Sequence, residues 1–211
     1  MLSEQVELIA KVLCDVNPPR PTRAAYLCAQ TIDNQTSVLE RGSELIQRNE
    51  AELLLIGDSG PRSGYPGFDV WRAELLRLGV PADRIAGMDT ATIGSLNTLT
   101  EAVAAVRYCK AAALQTLTVV AAPFHQLRAF MTAVTALYNE YPELLAFSAV
   151  GKAQPWYEPV AHSQGALIGC REEFIRTELE RIEKYHAKGD LVSIKNVLDY
   201  LRVRDNATSP G

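Results

Sequence analysis

Along most of the chain, short apolar runs alternate with stretches whose apolar residues recur at helical spacing. Val6, Ile9, Leu13 and Val16 mark one face of a helix over 3–16, with Glu4 and Glu7 in its first turn, where acidic groups complement the helix dipole. Asn17-Pro18-Pro19-Arg20-Pro21 stops that helix and makes a stiff connector. The run 24–29, ending in Gln30, reads as a first strand, and 36–48 reads as a helix through Val38, Leu39, Leu45 and Ile46. Residues 52–56 (Glu-Leu-Leu-Leu-Ile) are almost continuously apolar, as befits a strand covered on both faces of a parallel sheet. The pattern goes on with a helix over 68–78, stopped by Gly79 and Pro81, and a strand over 84–88. It predicts a helix over 99–113, a strand over 116–122, a helix over 124–139 and a strand near 144–150.

Strand and helix therefore alternate, which predicts an α/β fold with a mostly parallel sheet of about five strands and helices on both faces. The tail breaks the rhythm. Residues 172–188 and 191–202 read as two helices separated at Gly189-Asp190, a helical hairpin packed on the domain. Its apolar stripe is Phe174, Ile175, Leu179 and Ile182. The expected organisation is an N-terminal helix (1–17), an α/β domain (22–151), a connecting loop with the C-terminal hairpin (152–204), and a frayed end (205–211).

Composition narrows the function classes. The chain has 211 residues, 47% hydrophobic and 22% charged, ordinary for a globular domain with a full core. A net charge of −4 argues against sequence-independent nucleic-acid binding, which calls for a basic field. No apolar run reaches the roughly 18–20 residues of a membrane span. The first segment is acidic and amphipathic rather than a signal peptide, so a cytoplasmic protein is expected. Cys14, Cys28, Cys109 and Cys170 lie far apart with no Cys-x-x-Cys pair, which predicts reduced thiols rather than disulfides or a zinc site.

In an open parallel sheet, ligands gather at the carboxyl ends of the strands. After the fourth strand, Pro123 leads into a helix that places His125 and Arg128 one turn apart at its N-terminus. Helix N-termini attract anions, and an arginine there needs a compensating negative charge. After the second strand runs the loop Gly57-Asp58-Ser59-Gly60-Pro61-Arg62-Ser63-Gly64-Tyr65-Pro66-Gly67. It lacks the Lys-Ser/Thr end of a Walker A motif. It reads either as turn chemistry or as a backbone cradle for phosphate. Thr90, Thr92, Ser95, Asn97 and Thr98 come after the third strand, suited to capping the next helix, to ligand contact, or to both. Lys152, Trp156, Tyr157 and His162 come after the fifth. Trp156 and Tyr157 read as packing, and neither His162 nor His186 is assigned a site role.

Leu78-Gly79-Val80-Pro81, Ile85, the Ser95-x-Asn97-Thr98 block and the strand ending in His125-x-x-Arg128-Ala129 together resemble the YdcF-like family. This is a domain of unknown function that includes the SanA and ElyC envelope proteins. The similarity covers about residues 24–151 and is to the soluble branch. It implies a bacterial, Rossmann-like three-layer α/β/α sandwich. It also implies a polar pocket for a nucleotide-like or phosphorylated ligand, S-adenosylmethionine being one such ligand, and a link to cell-envelope processes. The chain departs from the family pattern at Thr100 and Glu101, where Glu-Asn is usual, and at Gly57-Asp58-Ser59-Gly60, where the turn is usually Ser-Gly-Gly.

Three function classes are open on these grounds. The first is a small-molecule binder using Gly57, Asp58, Ser59, Gly60, Ser95, Asn97, Thr98, Glu101, His125 and Arg128. The second is a hydrolase or transferase acting on a phosphoryl or glycosyl group. There His125 is the general acid or base, Arg128 stabilises developing negative charge, and Asp58, Asp89 or Glu101 orients the imidazole or holds a metal. The third is an interaction protein that docks through the tail hairpin. Ligand identity, strand order and oligomeric state are left open by the sequence.

Overall fold

Each central strand carries apolar side chains on both of its faces, so it must be covered twice. In β1 (Ala24–Leu27), Ala24 and Tyr26 join one core while Ala25 and Leu27 join the other. β2 (Leu54–Asp58) splits the same way, with Leu55 on one side and Leu54 and Ile56 on the other. With β3 (Ile85–Asp89), β4 (Thr116–Val120) and β5 (Leu145–Ser148) they form one parallel sheet in the order β3-β2-β1-β4-β5. The fold is Rossmann-like α/β. The computed structural model describes residues 2–16, 18, 20–90, 97–162 and 167–208.

One face is covered by α2 (Ile32–Gln47) and α3 (Phe68–Arg77), whose Val38, Leu39, Leu45, Trp71 and Leu75 fill the smaller core. α4 (Thr98–Ala111) and α5 (Gln126–Glu140) cover the other face. Behind them lie α1 (Leu2–Leu13) and the last two helices, α6 (Arg171–Ala187) and α7 (Ile194–Thr208). α6 and α7 each pack on α5, and α7 also packs on α1. In the predicted stripe of α6, Phe174 and Ile182 are buried, whereas Ile175 is exposed.

Two segments differ from the sequence pattern. Residues 159–170, expected as loop, hold an antiparallel ribbon of β6 (Pro159–His162) and β7 (Leu167–Cys170). β6 opens on a proline and β7 carries a glycine, both of which weigh against a strand. Arg171, 3% exposed, pins the ribbon to the start of α2 by donating to Asn34 Oδ1 (2.8 Å) and to the Asp33 carbonyl (2.7 Å). The end expected to fray stays helical to Thr208. Buried Arg204 holds it there, donating to both Asp15 carboxylate oxygens (2.6 and 2.8 Å), to the Ala146 carbonyl (2.9 Å) and to Asp205. Its guanidinium also stacks 4.7 Å from the Phe147 ring. Among the described residues, no helix is long and apolar enough to cross a membrane, and all four cysteines are free.

Asp15 also accepts from the Ser148 amide at 2.8 Å, so Arg204 ties α1, β5 and α7 into one unit. Removing one partner of a buried pair strands the other charge, at a cost of about 3–5 kcal/mol. Arg204→Ala is expected to lower the unfolding free energy by that amount, read from urea unfolding. A loss below about 1 kcal/mol would show that the C-terminal turn does not anchor the fold.

Candidate functional site

β1 and β4 are neighbours in the sheet, but their crossovers leave in opposite directions. The chain passes from β1 through α2 on one face to β2, and from β4 through α5 on the other face to β5. Such a reversal opens a crevice at the carboxyl ends of the two strands. A cavity of about 460 Å³ lies there, within the usual size for a small-molecule site. Ala29, Gln30 and Thr31 reach it from the end of β1, and His125 and Arg128 from the end of β4.

Gln126 makes the turn from β4 into α5 sharp. Its amide accepts from the Ala121 N–H (2.6 Å) and donates to the Val119 carbonyl and to Ser148 Oγ (both 2.9 Å). That buried bridge fixes where the strand stops and the helix begins. His125, the residue before α5, is 4% exposed. Gln30 Nε2 lies 3.2 Å from its Nδ1, and Thr98 Oγ1 lies 3.5 Å from its Nε2. Burial, reinforced by the charge of Arg128, pushes its pKa down to about 3. The ring is therefore neutral at physiological pH. With Nδ1 accepting from the Gln30 amide, Nε2 carries the proton beside Thr98.

Arg128 is compensated from within the chain. Its Nε and Nη2 donate to both oxygens of Glu178 on α6, the latter at 3.2 Å, and its Nη1 donates to Thr98 Oγ1 at 2.9 Å. Glu178 is 2% exposed and also accepts from Arg181 Nη1 (2.6 Å). Burial alone would raise the Glu178 carboxyl. Arg128 and the surrounding donors outweigh that and hold it well below the usual carboxylate range. His162 Nε2 lies 3.0 Å from Glu178 Oε1 and 3.2 Å from Arg181 Nη1. It can donate to the one or accept from the other, but not both. Phe124 and Phe174 pack on the His162 ring.

Glu101, on the first turn of α4, reaches the same cavity and is 4% exposed. One oxygen accepts from the Ala29 N–H at 3.2 Å. Burial pushes its carboxyl up to about 8, against the lowering effects of that N–H, Arg128 and Arg62. Close by, the buried Thr90 hydroxyl has no hydrogen-bond partner among the described residues. Such orphaned groups are uncommon in native interiors. Asn97 lines the rim and caps α4, its side chain accepting from the Leu99 and Thr100 amides (3.0 Å each).

Thr98, Asn97, Glu101, His125 and Arg128 thus converge as the sequence suggests. The Gly-rich turn does not join them. Gly57, Asp58, Ser59 and Gly60 lie outside the cavity lining, and the loop contributes Ser63 and Tyr65 instead. Tyr65 folds the loop back by donating to the Gly57 carbonyl at 3.0 Å. Ser95 and Thr92 lie outside the described residues. Lys152 pairs with Glu44 at 2.5 Å, and Trp156 and Tyr157 are exposed away from the cavity. His162, given no role from sequence, is a wall residue, as are Arg181 and Tyr185 of α6. One signal for α6 is present in the sequence. Glu178 falls at i+4 from Phe174 and i−4 from Ile182, a charge in the middle of an apolar face. Comparison with protein-family models, with curated proteins and with solved structures returns no match.

Glu101 and His125 set opposing pH dependences. The folded state keeps the Glu101 proton between its ordinary 4.5 and about 8, so stability falls as pH rises through that window, by up to about 1.4 kcal/mol per unit. His125 binds its proton less readily when folded (about 3 against 6.5), so its contribution is lost as pH falls below 6.5. Above pH 6.5 only Glu101 acts. The urea midpoint is expected to drop between pH 6.5 and 8.5, and Glu101→Gln is expected to flatten that slope. An equal slope in the variant would mean Glu101 ionises normally.

Proposed function

We propose that this chain binds a small nucleotide-like or phosphorylated ligand in the crevice between the ends of β1 and β4. The observation that carries this reading is the position of the cavity at the reversal of strand order, where open α/β sheets take their ligands. Thr98, His125 and Arg128 present hydrogen-bond donors there, from the neutral imidazole and from the guanidinium. Glu101, protonated at neutral pH, adds a fourth polar group at the inner end. The resemblance to the YdcF-like family supports the same ligand class, S-adenosylmethionine included.

A second reading is an enzyme acting on a phosphoryl or glycosyl group. The feature that favours it is Glu101, a buried carboxyl titrating near neutrality beside a cavity, the condition of a general acid. His125 then serves as a hydrogen-bond donor to the substrate, since burial keeps it from taking up a proton at neutral pH.

Binding is tested by thermal unfolding with S-adenosylmethionine, S-adenosylhomocysteine, nucleotides and sugar phosphates. A ligand at about 100 times its Kd adds about 2.7 kcal/mol, which at about 2–4 °C per kcal/mol is a rise of several degrees. The rise is expected to vanish in His125→Ala. A rise unaffected by that variant would place the ligand elsewhere.

A further inference from the structure

The cationic side chains of the cavity are already partly spent on the chain's own carboxylate. Of the guanidinium nitrogens of Arg128, Nε and Nη2 donate to Glu178 and Nη1 donates to Thr98. Arg181 commits its Nη1 to the same Glu178 oxygen. The two cations thus share one buried anion, and Asp190, an exposed acidic residue, also lines the cavity. Two positive groups and two carboxylates leave the cavity with almost no net charge from these four. Glu101 does not change that balance at neutral pH, because burial keeps it protonated.

A charged group that reaches either guanidinium therefore comes to rest beside Glu178. Like charges close together in a partly desolvated site repel far more than in water. One ligand charge can be accommodated by the donors left on the guanidinium groups and by the His125 Nε2–H. Among the described lining residues, each further charge meets carboxylate repulsion with no third arginine or lysine to offset it. We propose that the cavity selects a small organic ligand with a single negative charge, such as a phosphodiester or a carboxylate, and rejects di- and polyphosphates. This rests on the reading that the cavity binds a ligand at all. In this arrangement Glu178 is a specificity-determining residue: it occupies the position that a second ligand charge would need.

The test is calorimetric titration of the full chain at constant ionic strength with two probe series. One is dimethyl phosphate, inorganic phosphate and pyrophosphate; the other is 3′,5′-cyclic AMP, AMP and ADP. Affinity is expected to fall with charge within whichever series binds, at least tenfold from the first member to the last. In Glu178→Gln the order is expected to shift, with the last member gaining at least fivefold relative to the first. The amide still accepts from Arg128, and the wild-type order decides the matter even where the variant is too unstable to purify. Affinity that is equal across a series, or that rises with charge, overturns the selectivity while leaving the binding site in place. The absence of binding by every probe overturns the ligand reading and the selectivity with it.

Discussion

The pair between Arg128 and Glu178 is the contact on which the cavity depends. Both side chains are nearly out of water, and neither charge is tenable there without the other. Arg128 sits in the first turn of α5, where the helix dipole disfavours a cation. Glu178 supplies the compensation from α6, fifty positions later in the chain. The pairing therefore fixes how α6 lies across the end of the sheet. That position sets Arg181 and Tyr185 in the cavity wall and, through Phe174, holds His162 against Phe124.

The sheet was legible because burial on both faces writes a simple signal. Leu54, Leu55 and Ile56 are apolar in succession, and Thr118, Val119 and Val120 are nearly so. Runs this short, rich in branched apolar residues and lying between helices, fit doubly covered strands. Strand order was not legible, since nothing local to β1 records that β4 rather than β3 lies on its far side. The helical end at 205–208 was hidden for a related reason. Its hold on the fold is the ion pair of Arg204 with Asp15, whose partners stand at opposite ends of the sequence.

The candidate site divides along the same line. His125, Arg128 and Thr98 were legible because each comes within a few residues of a strand end or opens the next helix, and parallel strands deliver their outgoing loops to one edge of the sheet. The Gly57–Gly60 turn leaves a strand too, yet it misses the cavity. Tyr65 draws the loop back onto the Gly57 carbonyl, so that Ser63 and Tyr65, farther along the same loop, are what reach the cavity. Following a strand end is thus neither required nor enough: Arg181 and Tyr185 reach the cavity from α6, and Thr98 and Glu101 reach it from the start of α4, after the edge strand β3. The contribution of α6 needed another kind of clue, a carboxylate set in an apolar stripe, which here is answered by the buried cation of Arg128.

Burial moves His125 and Glu101 in opposite directions, one below and one above neutrality, so that both are uncharged at pH 7. These two groups therefore contribute to recognition by hydrogen bonds, and the charge of the cavity is left to Arg128, Arg181, Glu178 and Asp190. Its donors are held in place by Gln30, Thr98 and the Ala29 amide, and little reorganisation is needed when a partner arrives. An anion placed against His125 would favour its protonated form, and a cation placed against Glu101 would favour the carboxylate. Proton uptake and ligand charge are therefore linked at this site by the same burial that silences both groups in the free protein.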